Sequence, residues 1–463
     1  MADVERGQAL NRKLCHPFTG LIAGPFYIPW QREHHVLQLW TRHRVPGYGG
    51  AMPPQEVQPP FVALGAMPMR VLLQAYSAAV RRGASSVGTL DLLCRVALYA
   101  KSVPPWLLAG SNGANLTRMV ADPRRIPARR TVRELVSEPV SEFDQEVRAT
   151  LREVEWRIHR QPDRRLRNSD VQDAGPRPRW TPGVRMALAG ALYVARDNRV
   201  PFAGLSHLVL GMLQLPGCDG TQYVFPYEYA RLSAIDRLRT EPTLRRTDES
   251  YPDLDDERSA IRPGSGSLLG RVAGRILARA SRLSRLGPIL VGVDVEARRQ
   301  AVRLGHDVIG PLHILLAMLT HDATLAAARL RVPATHSSRN RGAGVLRTHG
   351  VDADRLRALA ASGGGPEEPP AEVLTKQLSS QRPGDPFTGT DVVTAMARAM
   401  EISLAYRHPD TGTSHLLLAL IEDDAGDGAA ILRHLNVNPE AVRARVEQDL
   451  RAAPAAWQSP AGQ

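Results

Sequence analysis

The residues whose type and spacing come nearest to chemistry are histidines set at one fixed place ahead of apolar runs. Residues 306–319 read HDVIGPLHILLAML, 200–213 read VPFAGLSHLVLGML, 411–424 read TGTSHLLLALIEDD and 84–98 read ASSVGTLDLLCRVAL. Each stretch holds a glycine (Gly88, Gly204, Gly310, Gly412), two further residues, then His or Asp (Asp91, His207, His313, His415), then a helical apolar run. An imidazole so placed could ligate a metal, relay a proton or form a pH-sensitive contact. A closed metal site needs more ligands at short spacing. Cys15, Cys94 and Cys218 form no C-x-x-C pair, and Cys15 with His16, His34, His35 and His43 matches no zinc pattern. No H-E-x-x-H, nucleophile triad or G-x-x-x-x-G-K-[ST] loop is present. The expectation is therefore a non-enzyme with no catalytic residue, metal or cofactor. Asp91 at the histidine position suits a helix N-terminus electrostatically, so a structural role is expected for this place in all four copies.

The elements that must position these residues are helix pairs. A hydroxyl before apolar residues at helical spacing marks a helix start, and Thr413 is expected to be the N-cap for a face made by Leu416, Leu417, Leu420 and Ile421. Upstream of each join lies an Ala-rich amphipathic segment: LLQAYSAAVRRG, VRMALAGALYVARDN, VEARRQAVRLG and VVTAMARAMEISLAYR. Four copies of helix, glycine turn and helix are thus predicted. The fourth copy continues into two more helices, with Asn436 ending one and Asn438, Pro439 and Glu440 opening the next. Asp352 is the expected cap in the third copy, after an insertion RVPATHSSRNR. Between the first two copies, TVRELVSEPVSEFDQEVRATLREVEWRIHR shows helical periodicity in its second half.

Hydrophobic residues make up 43% of the 463 and charged residues 23%, as in a folded protein, while 36 Pro and 38 Gly call for long irregular connections. The formal net charge is +12, yet only Lys13, Lys101 and Lys376 of the 59 basic residues are lysines, so the excess reads as arginine spread over solvated faces. No apolar run approaches membrane-span length and no secretory signal pattern opens the chain. With the dispersed cysteines, this predicts a cytoplasmic protein.

The stretch RQAVRLGHDVIGPLHILLAML resembles the amino-terminal repeat of the Clp unfoldases, whose pattern is Arg-Leu-Gly-His, then Ile or Val, then Gly-Thr-Glu-His and a leucine run. Arg303, Leu304, Gly305, His306, Ile309, Gly310, His313, Leu315 and Leu316 match it, as do Phe387, Thr388, Gly412, Thr413 and His415 in the fourth copy, with Trp180 and Thr181 as a similar opening in the second. The resemblance implies an all-α fold: two Clp N-terminal-like domains, each of two pseudo-symmetric four-helix repeats. The expected layout is an irregular segment 1–60, a first domain 61–250 (repeats near 61–173 and 179–250), a linker 251–267, a second domain 268–452 (repeats near 285–361 and 386–452, linker 361–385) and a tail 453–463. It further implies a stand-alone module in protein quality control that binds client polypeptides, adaptors or Clp ATPase and peptidase components. Gly88, Thr89, Asp91, Gly204, His207, Gly305, His306, Gly310, His313, Gly412, Thr413 and His415 are its motif positions. The family's Glu, which in some members helps hold phosphorylated arginine, is Leu90, Ser206, Leu312 and Ser414 here. A leucine cannot pair a guanidinium, and a serine offers one neutral bond.

An alternative reading rests on LLGRVAGRILARASRLSRLG at 268–287, where Arg271, Arg275, Arg279, Arg282 and Arg285 crowd around an apolar face. This is either a polyanion-binding helix, for nucleic acid or anionic membrane, or the opening helix of the third repeat.

Overall fold

The glycine turns and capping residues divide the chain into short helices. In a computed structural model the described residues are 62–108, 143–160, 177–245, 286–362 and 384–453, without 103, 328–329, 331 and 333. They belong to one compact unit, Gln58–Gln463. The expectations for residues 1–60, for the 251–267 linker and for Arg271, Arg275, Arg279, Arg282 and Arg285 fall outside the described residues.

The first repeat runs β1 (Ala63–Leu64), α1 (Ala66–Arg81), β2 (Ser86–Val87) and α2 (Thr89–Val96). The expected four helices are not all seen there: among the described residues α2 is followed by a 3-10 stretch (Ala97–Ser102) and one helical turn (Pro105–Leu108). The periodic segment after them is α3 (Asp144–Arg160). The second repeat is β3 (Arg179–Trp180), α4 (Pro182–Asp197), β4 (Phe202–Ala203), α5 (Leu205–Leu213), α6 (Asp219–Val224) and α7 (Glu228–Arg239). The third is α8 (Pro288–Leu304), β5 (Val308–Ile309), α9 (Pro311–Ala327), α10 (Gly342–Thr348) and α11 (Ala353–Ala361), with a single turn at Ala334–Ser337. The fourth is β6 (Phe387–Thr388), α12 (Thr390–Ala405), α13 (Thr413–Ile421), α14 (Asp427–His434) and α15 (Pro439–Ala452). The molecule is all-α, and the strands among the described residues are two-residue parallel pairs.

Those pairs are reciprocal. The residues before one repeat's opening helix pair with the residues before its partner's join: β1 with β4 and β2 with β3, then β5 with β6 and Leu286 with Thr411. A swap of this kind relates two repeats by an approximate two-fold axis and explains how the first repeat meets the second across the long insertion. Two apolar cores follow the same division, one built from residues between Val62 and Leu244, the other between Leu290 and Leu450.

The local signals act as expected at most ends. Thr181 is an N-cap with Pro182 at the first helical position, Asp352 accepts from the Arg355 N–H at 2.8 Å, and Asn438 accepts from the Glu440 N–H at 2.9 Å. Two expectations are corrected. The opening helix of the third repeat starts at Pro288, after the Arg-rich segment, because Gly287 is the N-cap and proline suits the first turn. Thr413 is not an N-cap: Gly412 is, and Thr413 is already helical.

Each opening helix ends on a left-handed residue five positions ahead of the join glycine: Gly83 (φ 63°), Arg199 (φ 55°), Gly305 (φ 80°) and Arg407 (φ 55°). A side chain there costs about 1–2 kcal/mol, partly offset by the lower unfolded-state entropy of a non-glycine residue. Arg407→Gly is therefore expected to raise stability in urea unfolding by roughly 0.5–1 kcal/mol, and Gly305→Ala to lower it by a similar amount.

Helix α3 packs on α1, α4 and α8. Its apolar residues Val147, Leu151 and Val154 enter the first core, and its charged side meets the second double repeat. Glu153, fully buried, lies 2.9 Å from Arg299 Nε, accepts from Arg303 Nη1 at 2.8 Å and accepts from Arg157 at 2.9 and 3.0 Å. Arg303 also pairs with Glu146, and the Trp156 indole N–H donates to Asp385 at 2.9 Å. A small apolar cluster of Ala63, Phe202, Ile289 and Leu325 completes this junction.

Candidate functional site

The motif histidines are structural caps. The Gly412 N–H donates to His415 Nδ1 at 2.9 Å, Gly310 to His313 Nδ1 at 3.0 Å and Gly204 to His207 Nδ1 at 3.0 Å. In the first repeat Asp91 Oδ2 takes the Gly88 N–H at 2.9 Å. Each satisfies a backbone donor that the first helical turn leaves open. Because Nδ1 accepts, Nε2 carries the proton and needs an acceptor. His408 Nδ1 lies 2.7 Å from His415 Nε2, and His306 Nδ1 lies 2.9 Å from His313 Nε2. This fixes a neutral imidazole pair in each repeat of the second half. In the first repeat, Asp91 Oδ1 instead receives Arg82 at 2.6 Å.

Burial, reinforced by the neighbouring ring, pushes His313 and His415 down to about 3, and burial pushes His207 down to about 4. His306 and His408 are lowered by the same desolvation. Neutral, enclosed rings of this kind are poor proton relays near pH 7.

The remaining join positions are also enclosed. Thr413 Oγ1 accepts the Gly342 N–H at 3.2 Å, and Thr89 Oγ1 accepts the Gly220 N–H at 3.1 Å, so each join is tied to its partner repeat. Ser414 Oγ accepts the Arg341 N–H at 3.1 Å and Ser206 Oγ donates to Thr243 Oγ1 at 2.9 Å. Leu90 and Leu312 are buried. Over the start of α13, Asn340 Oδ1 takes the Thr413 N–H at 3.0 Å and Arg339 pairs with Asp410 at 2.8 Å. A Cβ on Gly412 would stand 2.4 Å from the Arg339 carbonyl oxygen. Protein atoms thus fill the ground above this helix N-terminus.

Among the described residues no three His, Cys, Asp or Glu side chains converge as metal ligands. Cys94 and Cys218 are buried, and burial pushes the Cys94 thiol up to about 12, which leaves it protonated and unreactive. A small cleft lined by Leu93, Leu107, Met212, Val224 and Phe225 is almost wholly apolar.

Among the described residues, one face of α12 stays open. Val393 and Leu404 are 50% and 52% exposed, Ala397 is exposed and Met400 half-buried. Their spacing places them on one stripe about three turns long. The opposite side, Val392, Ala395, Ala399 and Ile402, fills the second core. The other opening helices are enclosed: α8 has no exposed residue between Pro288 and Leu304, α4 exposes Asp197, and α1 exposes Arg70 and Arg81. Helix α3 packs on all three, and no described element covers the stripe of α12. Sequence reasoning missed this face, since its apolar residues interleave with the core-facing ones. A second exposed group, Tyr227, Tyr229 and Leu232, is shorter; its tyrosine rings stack at 5.7 Å.

Comparison with known proteins places this repeat. Residues 389–463 match the family model of the Clp repeat (R) N-terminal domain. The chain is also 28% identical over 156 residues to a protein of Chlamydia pneumoniae described as a probable ATP-dependent Clp protease ATP-binding subunit. The aligned part is 33% of this chain and spans only 15% of that relative's length.

Proposed function

We propose, from the premise that this chain is a Clp N-terminal domain protein, that it is a non-catalytic recognition module of a Clp-type proteolytic system and receives a polypeptide on the open face of α12. The single observation that carries this reading is the contrast between α12 and the three enclosed opening helices. An apolar stripe that no described element covers is the usual mark of an interaction site. The reciprocal strand pairing supports reading the chain as two double-repeat modules, near 61–250 and 268–452, with the buried joins as their fixed framework. Clients, adaptors and Clp ATPase or peptidase components are the proposed partner classes. Among the described residues no helix is long and apolar enough to cross a membrane, and the cytoplasm is the proposed compartment.

The test is a tagged pull-down from native cells with nuclease and a salt series, comparing the natural chain with a Val393→Asp/Leu404→Asp double variant. A discrete protein set, resistant to nuclease and moderate salt and lost in the variant, is the expected result. Retention of nucleic acid or lipid alone, eluting with salt and indifferent to the variant, would move the function to the Arg-rich 268–287 segment.

A further inference from the structure

The chain holds an internal example of a helix docked on an opening helix, and it indicates what α12 takes. Helix α3 lies against α8 and sets the Glu153 carboxylate against Arg299 and Arg303. The repeats superpose by register, because Gly310 corresponds to Gly412 and the left-handed Gly305 to Arg407. In that register Arg299 corresponds to Glu401 and Arg303 to Ala405. The position that receives an acidic side chain on α8 is itself acidic on α12.

The surroundings agree. Arg398 is shared between two carboxylates, donating to Glu422 at 2.6 and 2.7 Å and to Glu401 at 2.8 Å, while Arg443 lies near Glu422 and pairs with Asp424, so Glu401 is the acid of this group nearest the stripe. At the N-terminal end of α12, Asp391 lies beside Asp427 of α14; burial and that neighbour raise its pKa. Both acids are exposed.

Resting on the reading of α12 as the receptor face, we infer that its occupant is a basic amphipathic helix of another polypeptide, its apolar side on Val393, Ala397, Met400 and Leu404 and its arginines or lysines toward Glu401, Glu422 and Asp391. The acid flank disfavours an acidic side chain at the place where α3 sets Glu153 on α8, so the two opening helices of the second half differ in the charge they accept at that position. This selection is local, since the chain as a whole carries +12 and would repel a basic peptide.

The experiment titrates the full chain, by fluorescence anisotropy, with two labelled amphipathic helices of about 18 residues, one leucine and lysine, the other leucine and glutamate, each about 27 Å long. The Leu/Lys peptide is expected to bind, to weaken more than about tenfold in Leu404→Asp as an apolar anchor is lost, and to lose its advantage over the Leu/Glu peptide in Glu401→Arg. Circular dichroism of both variants verifies the fold. Leu404-dependent binding with no charge preference would overturn this inference and leave the receptor face standing. Binding of neither peptide, or binding indifferent to Leu404, would overturn the inference, while the pull-down above tests the face independently. Leu404-dependent self-association in sedimentation without peptide would assign the face to a second copy and likewise overturn it.

Discussion

Replacing Glu153 with glutamine is expected to lower the unfolding free energy by about 3–5 kcal/mol, the usual cost of removing one partner from a buried ion pair. The carboxylate is fully buried and faces Arg157, Arg299 and Arg303. With a neutral amide in its place, the guanidiniums of Arg299 and Arg303 lose the carboxylate they share in a low-dielectric junction and keep only Glu296 and Glu146 as counter-charges. Because Glu153 and these two arginines belong to different double repeats, the loss should also loosen the junction. Urea unfolding is expected to show a lower midpoint, and hydrogen exchange to quicken in α3 and α8 before the two cores. A Glu153→Leu/Arg303→Met double variant should recover part of the loss, since apolar replacement of a whole buried pair is often neutral. If Glu153→Gln unfolds within about 0.5 kcal/mol of the natural chain, the range of an ordinary surface change, α3 does not clamp the two halves.

The second large effect is acid sensitivity. His207, held down to about 4, and His313 and His415, held down to about 3, titrate in the unfolded chain near the ordinary 6.5. Below pH 6.5 the unfolded state therefore binds more protons than the folded one, so stability falls as the pH falls. It is fully present above 6.5 and drains away toward the folded values. Each ring contributes about 1.4 kcal/mol per pH unit in that window, so by pH 4.5 the three together remove roughly 8 kcal/mol. That is comparable with the whole stability of many domains. Urea midpoints measured from pH 7.5 to 4.5 are expected to fall steeply below 6.5. His207→Gln, whose amide oxygen can still cap Gly204 but does not titrate, should remove about a third of the slope. A flat profile over this range would mean that the rings are not held neutral.

The joins were legible because their signal is local. A glycine, a capping residue three positions on and an apolar run specify the turn, the cap and the buried face within a few residues, and Asn436, Asn438 and Asp352 punctuate helix ends in the same way. Thr413 misled because a hydroxyl before a helix reads as an N-cap, whereas His415 reaches back to that role from inside the helix and frees the Thr413 hydroxyl for Gly342. The His408 to His415 spacing repeats that of His306 to His313, and this recurrence was a readable sign of the ring pairs. The α3 junction left no comparable trace: Glu153 and Arg303 are 150 residues apart, and charge on an amphipathic helix looks solvated until the fold closes around it. The open face of α12 was hidden for a related reason. Val393, Ala397, Met400 and Leu404 have the same period as the core residues beside them, and only the arrangement of α3 decides which stripe is covered.

Site-specific photo-crosslinking in native cells reaches the central claim most directly. A benzophenone amino acid would be placed at Leu404, at the C-terminal end of the exposed stripe, and in parallel at Arg451, an exposed position on α15. The account predicts discrete polypeptide adducts at position 404 that are absent at 451 and vanish when Val393→Asp is added. Equal adducts at both positions, or none at 404, would contradict it.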